Sequence, residues 1–81
     1  MVLREDFDEV IEECRDLMLE RNKKYGDSVN LLRYTTIIDL MAAKLYRLQR
    51  LDINDSKTLD ELQDVINYAA FALLKKRGKL M

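Results

Sequence analysis

The chain has 81 residues, of which 48% are hydrophobic and 36% are charged, and its formal net charge is −1. A chain of this length forms one domain, so we expect residues 1–81 to make a single helical unit. No apolar run approaches the ~20 residues that a membrane-spanning helix needs. A single cysteine cannot build a disulfide framework. These properties predict a cytoplasmic protein that does not enter a membrane.

The charges are unevenly distributed along the chain. Residues 1–20 hold eight acidic and two basic residues, a net charge of −6. Residues 21–50 hold seven basic and two acidic residues, a net charge of +5. The near-neutral total argues against general nucleic-acid binding, which needs a net basic surface. The basic middle segment suits one small anionic ligand instead.

The first predicted helix covers about residues 7–24. Its apolar residues recur at helical spacing and form one stripe, on which Cys14 is expected to be a buried, unreactive thiol. Asp6 and Glu9 have the spacing of a capping box at the start of this helix. Gly26 follows a basic last turn and is expected to end the helix.

Two further helices are predicted, from residue 35 or 36 to about 51 and over about residues 58–77. The second helix has a broad apolar face that suits packing on two sides, and Gly78 is expected to cap the third helix. The absence of proline also favours long helices. We therefore predict an all-α fold of three main helices. Because 48% hydrophobic content is much for so small a domain, we expect it to self-associate into a helical bundle.

Glu61 and Asp64 are three residues apart in the third predicted helix, so their carboxylates share one face. Two such anionic groups suit a hard divalent cation such as Mg²⁺, although unpaired carboxylates this close repel each other. For Glu61 the alternative is a capping box with Thr58, which needs no metal. For Asp64, Asn67 and Tyr68 the alternatives are ordinary surface or one wall of a ligand cleft.

Three basic residues from separate places in the chain are predicted to converge on one anion site: Lys24, Lys44 and Arg47. Lys24 also has a purely structural explanation, because a cation is favourable at the carboxyl end of a helix dipole. Tyr25 and Tyr68 can stack on a nucleobase or simply lie at the edge of the core.

Several short segments resemble one family of nucleotide enzymes. Residues 61–68 resemble the E-x-x-D helix of the MazG-like, all-α nucleoside triphosphate pyrophosphatases. Residues 23–27 (K-K-Y-G-D), 44–47 (K-L-Y-R) and 64–68 (D-V-I-N-Y) follow one another as in a phage and bacterial branch called the nucleotide-modification-associated domain. The resemblance covers roughly residues 7–75.

This resemblance implies a homodimer or higher homo-oligomer with nucleotide clefts, and Mg²⁺-dependent hydrolysis of a nucleoside triphosphate to a monophosphate and pyrophosphate. The implied metal ligands are Glu61, Asp64 and Asp39. The implied nucleotide-binding residues are Lys24, Tyr25, Asp27, Lys44, Arg47, Asn67 and Tyr68. The second helix lacks the E-x-x-E pair of the active pyrophosphatases, so binding is better supported than cleavage. The alternative is a non-enzymatic helical module for self-association or interaction.

Overall fold

The computed structural model describes residues 3–26 and 28–79. Three α-helices account for most of this chain: α1 (Arg4–Tyr25), α2 (Tyr34–Arg50) and α3 (Lys57–Lys76), with a 3₁₀ helix, Ser28–Leu31, between the first two. No strand occurs in the described ranges, so the predicted all-α fold is confirmed. Among the described helices, none combines the length and the apolar character that crossing a membrane requires.

The α2 and α3 helices form an antiparallel hairpin. Lys44 in the second half of α2 contacts Asp64 in the first half of α3. Ile38, earlier in α2, shares a groove with Leu73, later in α3. The polar connection between the helices has the length and composition that the sequence predicts, and it brings the predicted basic and acidic residues face to face.

The α1 helix also runs antiparallel to α3. The backbone carbonyl of Cys14 accepts a hydrogen bond from Asn67, and Arg21, two turns further along α1, pairs with Asp64, nearly one turn earlier in α3. The α3 helix therefore lies in the middle of the molecule and contacts both of the other helices.

The core of the single chain is small. Ile37, Cys14 and Ala72 are 0%, 2% and 6% exposed, and Asn67 is the buried polar residue beside them. The predicted burial of Cys14 is confirmed, and this burial, together with the charge of the adjacent Glu13, raises the pKa of the thiol. A buried thiol with a raised pKa is poorly nucleophilic, as the sequence predicts.

Both predicted glycine caps are confirmed. Gly26 follows the last residue of α1 with a φ of 71°, and Gly78 follows α3 with a φ of 69°. Beyond α3, the backbone N–H of Gly78 donates to the carbonyl of Lys75 and that of Lys79 to the carbonyl of Leu74. This pair of hydrogen bonds is the Schellman motif that ends many helices.

The capping box predicted for α1 is wrong. The helix begins at Arg4, so Asp6 lies inside the first turn and Glu9 in the second. Leu3 holds the N-cap position and offers no side-chain hydrogen bond. Asp6 instead places negative charge near the amino end of the helix, where the dipole favours it.

The capping box predicted for α3 is also wrong. Its helix begins at Lys57, and the Thr58 hydroxyl donates a hydrogen bond of 2.6 Å to the carbonyl of Asp55 rather than accepting one. The Asp55 carboxylate accepts a hydrogen bond of 2.9 Å from the Lys57 N–H, one of the N–H groups that the helix start leaves without an intrahelical partner. Glu61 is therefore free to use its carboxylate elsewhere.

Candidate functional site

Asp64 is the meeting point of two basic residues from two other helices. Its Oδ2 lies 2.8 Å from Nζ of Lys44 on α2, and its Oδ1 accepts a hydrogen bond from Nη1 of Arg21 on α1. The side chains of Asp64 and Lys44 are only 13% and 17% exposed. The bond to Lys44 is therefore largely withdrawn from water, whereas the Arg21 side chain is 45% exposed, and together these charge-assisted hydrogen bonds link the three helices.

Glu61 extends this arrangement by one turn of α3. Its Oε2 lies 3.5 Å from Nζ of Lys44 and its Oε1 lies 3.7 Å from Nη1 of Arg47. The Oε2 atom is buried and accepts no hydrogen bond within the described part of the chain. We call these five side chains the acid–base cluster: Arg21, Lys44, Arg47, Glu61 and Asp64.

The pKa values within the cluster follow from these contacts. Burial pushes the pKa of Asp64 upward, but the hydrogen bonds from Lys44 and Arg21 outweigh it and leave the pKa below its ordinary value. The hydrogen bond to Asp64 raises the pKa of Lys44 and that of Arg21. All three groups are therefore charged at neutral pH.

A cavity of about 280 Å³ adjoins the cluster. It lies between the last turns of α1, the 3₁₀ helix and the middle of α3. The lining residues are Met18, Arg21, Asn22, Tyr25, Gly26, Ser28, Val29, Leu32, Asp64, Asn67, Tyr68 and Phe71. Arg21 and Asp64 belong to both the cavity and the cluster, so a charged rim and a mainly apolar pocket meet there.

The cavity combines aromatic surfaces with a fixed polar group. Tyr68 and Phe71 meet edge to face, with ring centroids 6.3 Å apart, and Tyr25 lies on the opposite side on α1. The side-chain amide nitrogen of Asn67 donates a hydrogen bond of 3.0 Å to the carbonyl of Cys14. This bond orients the amide and leaves its oxygen as an acceptor for a planar ligand with an N–H group.

The predicted site residues fall into several groups. Lys44 and Arg47 lie together with Glu61 and Asp64 in the acid–base cluster. Three predicted residues line the cavity: Tyr25, Asn67 and Tyr68. Lys24 places its ammonium 5.4 Å from the centre of the Tyr25 ring, outside the cluster. Asp27 lies outside the described residues.

The predicted Mg²⁺ ligands do not form a metal site as they stand. Glu61 and Asp64 are close to each other but share the ammonium of Lys44, and Asp39 is an exposed residue of α2. Within residues 3–26 and 28–79, no three acidic or cysteine side chains come together as a metal-binding group. The donor set therefore does not fit Mg²⁺ bound by the protein alone, since such a cation would have to displace Lys44.

Sequence reasoning missed Arg21. Its signal was present in the helical spacing of Met18, Arg21, Asn22 and Tyr25, which share one face of α1 and all line the cavity. Lys24 lies to one side of that face. The Arg21–Asp64 pair joins residues 43 positions apart, so the docking of α1 on α3 had to be known before the pair could be recognised.

The comparisons with known proteins identify one family. A model of the family described as nucleotide modification associated domain 1 matches residues 21–75, more than half of the chain. The matched segment begins at Arg21 and includes the whole acid–base cluster and every lining residue of the cavity except Met18. No curated protein and no solved structure matches the chain.

Proposed function

The chain belongs to the nucleotide modification associated domain 1 family, and on this basis we propose that it binds a nucleotide in the cavity beside the acid–base cluster. The observation that carries the proposal is the position of Arg21 and Asp64, which border both the apolar pocket and the charged cluster. A nucleotide has the same two parts, a flat base and a charged phosphate chain. The cavity volume, about 280 Å³, is close to the lower end of the range for small-molecule sites, ~300 Å³.

In the proposed complex, the base lies between Tyr25 and Tyr68 and donates an N–H group to the Asn67 oxygen. Aromatic surfaces of this kind stack on nucleobases at about 1–3 kcal/mol per base. The phosphates face Arg21 and, beyond Asp64, Lys44. These cations keep their carboxylate partners and donate their remaining N–H groups to the phosphates, in hydrogen bonds of the same charge-assisted type.

Nucleotide binding is tested by the thermal stabilisation of the full chain with a panel of ribo- and deoxynucleotides. We expect Arg21→Met to weaken the stabilisation by about tenfold in apparent affinity, the loss of one charge-assisted contact of about 1.4 kcal/mol. Arg50→Met removes the same charge outside the cluster, where the guanidinium lies over the Tyr46 ring, and is the matched control. An equal loss in both variants attributes the effect to general surface charge and contradicts the proposed site.

The resemblance to MazG-like pyrophosphatases predicts more than binding. Membership of that superfamily and Mg²⁺-dependent hydrolysis of a triphosphate remain predictions. Release of pyrophosphate together with a monophosphate product tests the hydrolysis directly. A chain that is stabilised by nucleotides but releases no pyrophosphate is a binding protein.

We also propose that the chain self-associates, as its sequence predicts. The single chain exposes 6683 Å² of surface. A compact monomer of 9.6 kDa exposes only about 5,100 Å², so the excess is about 1,600 Å². Obligate homodimer interfaces bury roughly 1,000–2,500 Å² per partner, so the excess matches an interface of this kind.

The first half of α1 forms one part of the exposed apolar surface. Leu3, Phe7, Val10 and Ile11 are 55%, 58%, 46% and 42% exposed, and all residues from 4 to 13 are exposed. A second copy is the occupant that we propose, because the acidic α1 of one copy complements the basic α2 of another. Sedimentation equilibrium at micromolar concentration is expected to give a dimer or a higher oligomer; a monomer contradicts this proposal.

A further inference from the structure

We propose that the ammonium of Lys44 takes the place of a divalent cation between Glu61 and Asp64, so that the site binds nucleotide without a metal ion. Its Nζ lies 2.8 Å from Oδ2 of Asp64 and 3.5 Å from Oε2 of Glu61. The ammonium thus approaches one oxygen of each carboxylate in the E-x-x-D pair, where a bridging cation would have to lie. Only the second half of this proposal, metal-free binding, rests on the proposed nucleotide site.

The burial of these groups distinguishes the arrangement from an ordinary surface ion pair. The side chains of Lys44 and Glu61 are each 17% exposed, and that of Asp64 is 13% exposed. Carboxylates so far withdrawn from water need a cation beside them, because unpaired charge is costly in such surroundings. Lys44 supplies that cation from the protein itself, and it is held on α2 directly opposite the pair.

The two carboxylates already have enough positive charge beside them without a divalent ion. Glu61 and Asp64 contribute two negative charges, and Lys44, Arg21 and Arg47 contribute three positive charges in contact with them. A Mg²⁺ ion would meet repulsion from the ammonium and the guanidinium and would also lose hydration water, which it gives up reluctantly. Oε2 of Glu61 is buried and accepts no hydrogen bond within the described residues, and the ammonium of Lys44, 3.5 Å away, is the cation beside it.

The consequence for a ligand concerns its phosphates. In a metal-dependent site, phosphate oxygens reach the carboxylates through the metal ion. Here the carboxylates and the phosphates share the same lysine and arginine, each of which has several N–H donors. The positive charge that neutralises the ligand comes from Lys44 and Arg21, so nucleotide affinity does not require added metal.

Binding of Mn²⁺ to the full chain without nucleotide tests the role of Lys44, with free Mn²⁺ followed by electron paramagnetic resonance. We expect Lys44→Met, which removes the ammonium that lies between the two carboxylates, to bind Mn²⁺ at least about tenfold more tightly than the wild type. The additional change Asp64→Asn is expected to abolish the gain. Arg50→Met is the matched control, because Arg50 lies on the same helix with its guanidinium over the Tyr46 ring.

Wild-type chain that binds Mn²⁺ as tightly as Lys44→Met overturns the proposal. If Lys44→Met does not fold, the melting temperature of the wild-type chain is measured with and without millimolar Mg²⁺. An unchanged melting temperature supports the proposal, and a raised melting temperature overturns it.

The metal-free half is tested with ATP and dTTP in EDTA and in Mg²⁺. Stabilisation in EDTA supports it, and stabilisation only with Mg²⁺ overturns it. If the nucleotides stabilise the chain under neither condition, nucleotide binding is contradicted, and metal-free binding with it. The role of Lys44 between the two carboxylates is then still decided by the Mn²⁺ measurement.

Discussion

At the scale of single residues, Asp64 joins all three helices. It accepts hydrogen bonds from Arg21 on α1 and from Lys44 on α2 while belonging to α3. Helix contacts in this small chain otherwise rest on few fully buried side chains, chiefly Ile37 and Cys14. The charge of Asp64 therefore contributes to the stability of the fold as well as to the site.

We predict that Asp64→Asn destabilises the chain by about 1–3 kcal/mol at neutral pH, because two cations lose their shared partner. The folded-state pKa of Asp64 is lowered, so its contribution is present above the unfolded pKa of about 3.9 and is lost as the pH falls through the folded pKa. The difference between wild type and Asp64→Asn in urea denaturation should therefore shrink below about pH 4.

The exposed Asp39 provides the control for this prediction. Asp39→Asn removes the same charge from α2 and is expected to change stability by less than about 0.5 kcal/mol at any pH. If Asp64→Asn behaves like Asp39→Asn, the cations of the cluster do not depend on Asp64.

Sequence reasoning identified most of these residues but not their relationship. The spacing of Glu61 and Asp64 correctly places both on one face, since that depends only on helix geometry. Their counter-ions come from other helices, and no local pattern specifies which lysine or arginine will face them. For this reason the sequence favoured a metal or a cap, whereas the structure gives Glu61 two basic neighbours.

At the scale of helices, the sequence predicts more successfully. Apolar periodicity and glycine positions placed each of the three helices to within about three residues, because both signals act within a few residues along the chain. The exact helix starts were less predictable. Several acidic residues and threonines near each start can serve as caps. In α3, Ser56 holds the N-cap position without a side-chain hydrogen bond, and the Asp55 carboxylate accepts from the Lys57 N–H.

The end of α1 gives a prediction at this scale. Gly26 has φ 71° and ψ −162°, and a Cβ at this position would meet nothing within 4 Å. L-alanine at residue 26 is therefore expected to destabilise the chain by about 1–3 kcal/mol through backbone strain alone. D-alanine, for which these angles are favourable, should stabilise it by about 0.4–1 kcal/mol.

Chemical denaturation of the two synthetic variants checks this prediction. Both add the same methyl group to the same open space, so any difference between them reports the backbone conformation. Equal stability of the two would show that residue 26 does not keep its positive φ in solution.

At the scale of the whole molecule, stability is expected to depend on protein concentration. If a second copy covers the first half of α1, the melting temperature rises with concentration by mass action. Phe7→Glu places a charge on this surface and should lower the melting temperature and remove its concentration dependence. Ile53→Glu is the matched control, because Ile53 is 87% exposed in the α2–α3 connection.

The sequence predicted this apolar excess but could not locate it. Composition and chain length alone predict that a domain of 81 residues leaves some of its hydrophobic residues exposed. Which of them remain outside depends on how the helices dock. The broad apolar face of α2 was expected to pack on two sides, yet Ile38 and Leu45 are 39% and 47% exposed in the single chain.

The hydrogen bond between Asn67 and the carbonyl of Cys14 places the Cys14 thiol where its reactivity reports how often α1 separates from α3. The Cys14 thiol is 2% exposed, and it lies where α1 rests on the wall of the cavity. A thiol reagent reaches the sulfur only when α1 lifts away from α3, so the labelling rate measures the frequency of that opening. A ligand that contacts Asn67 and bridges the two helices is therefore expected to lower the labelling rate of Cys14.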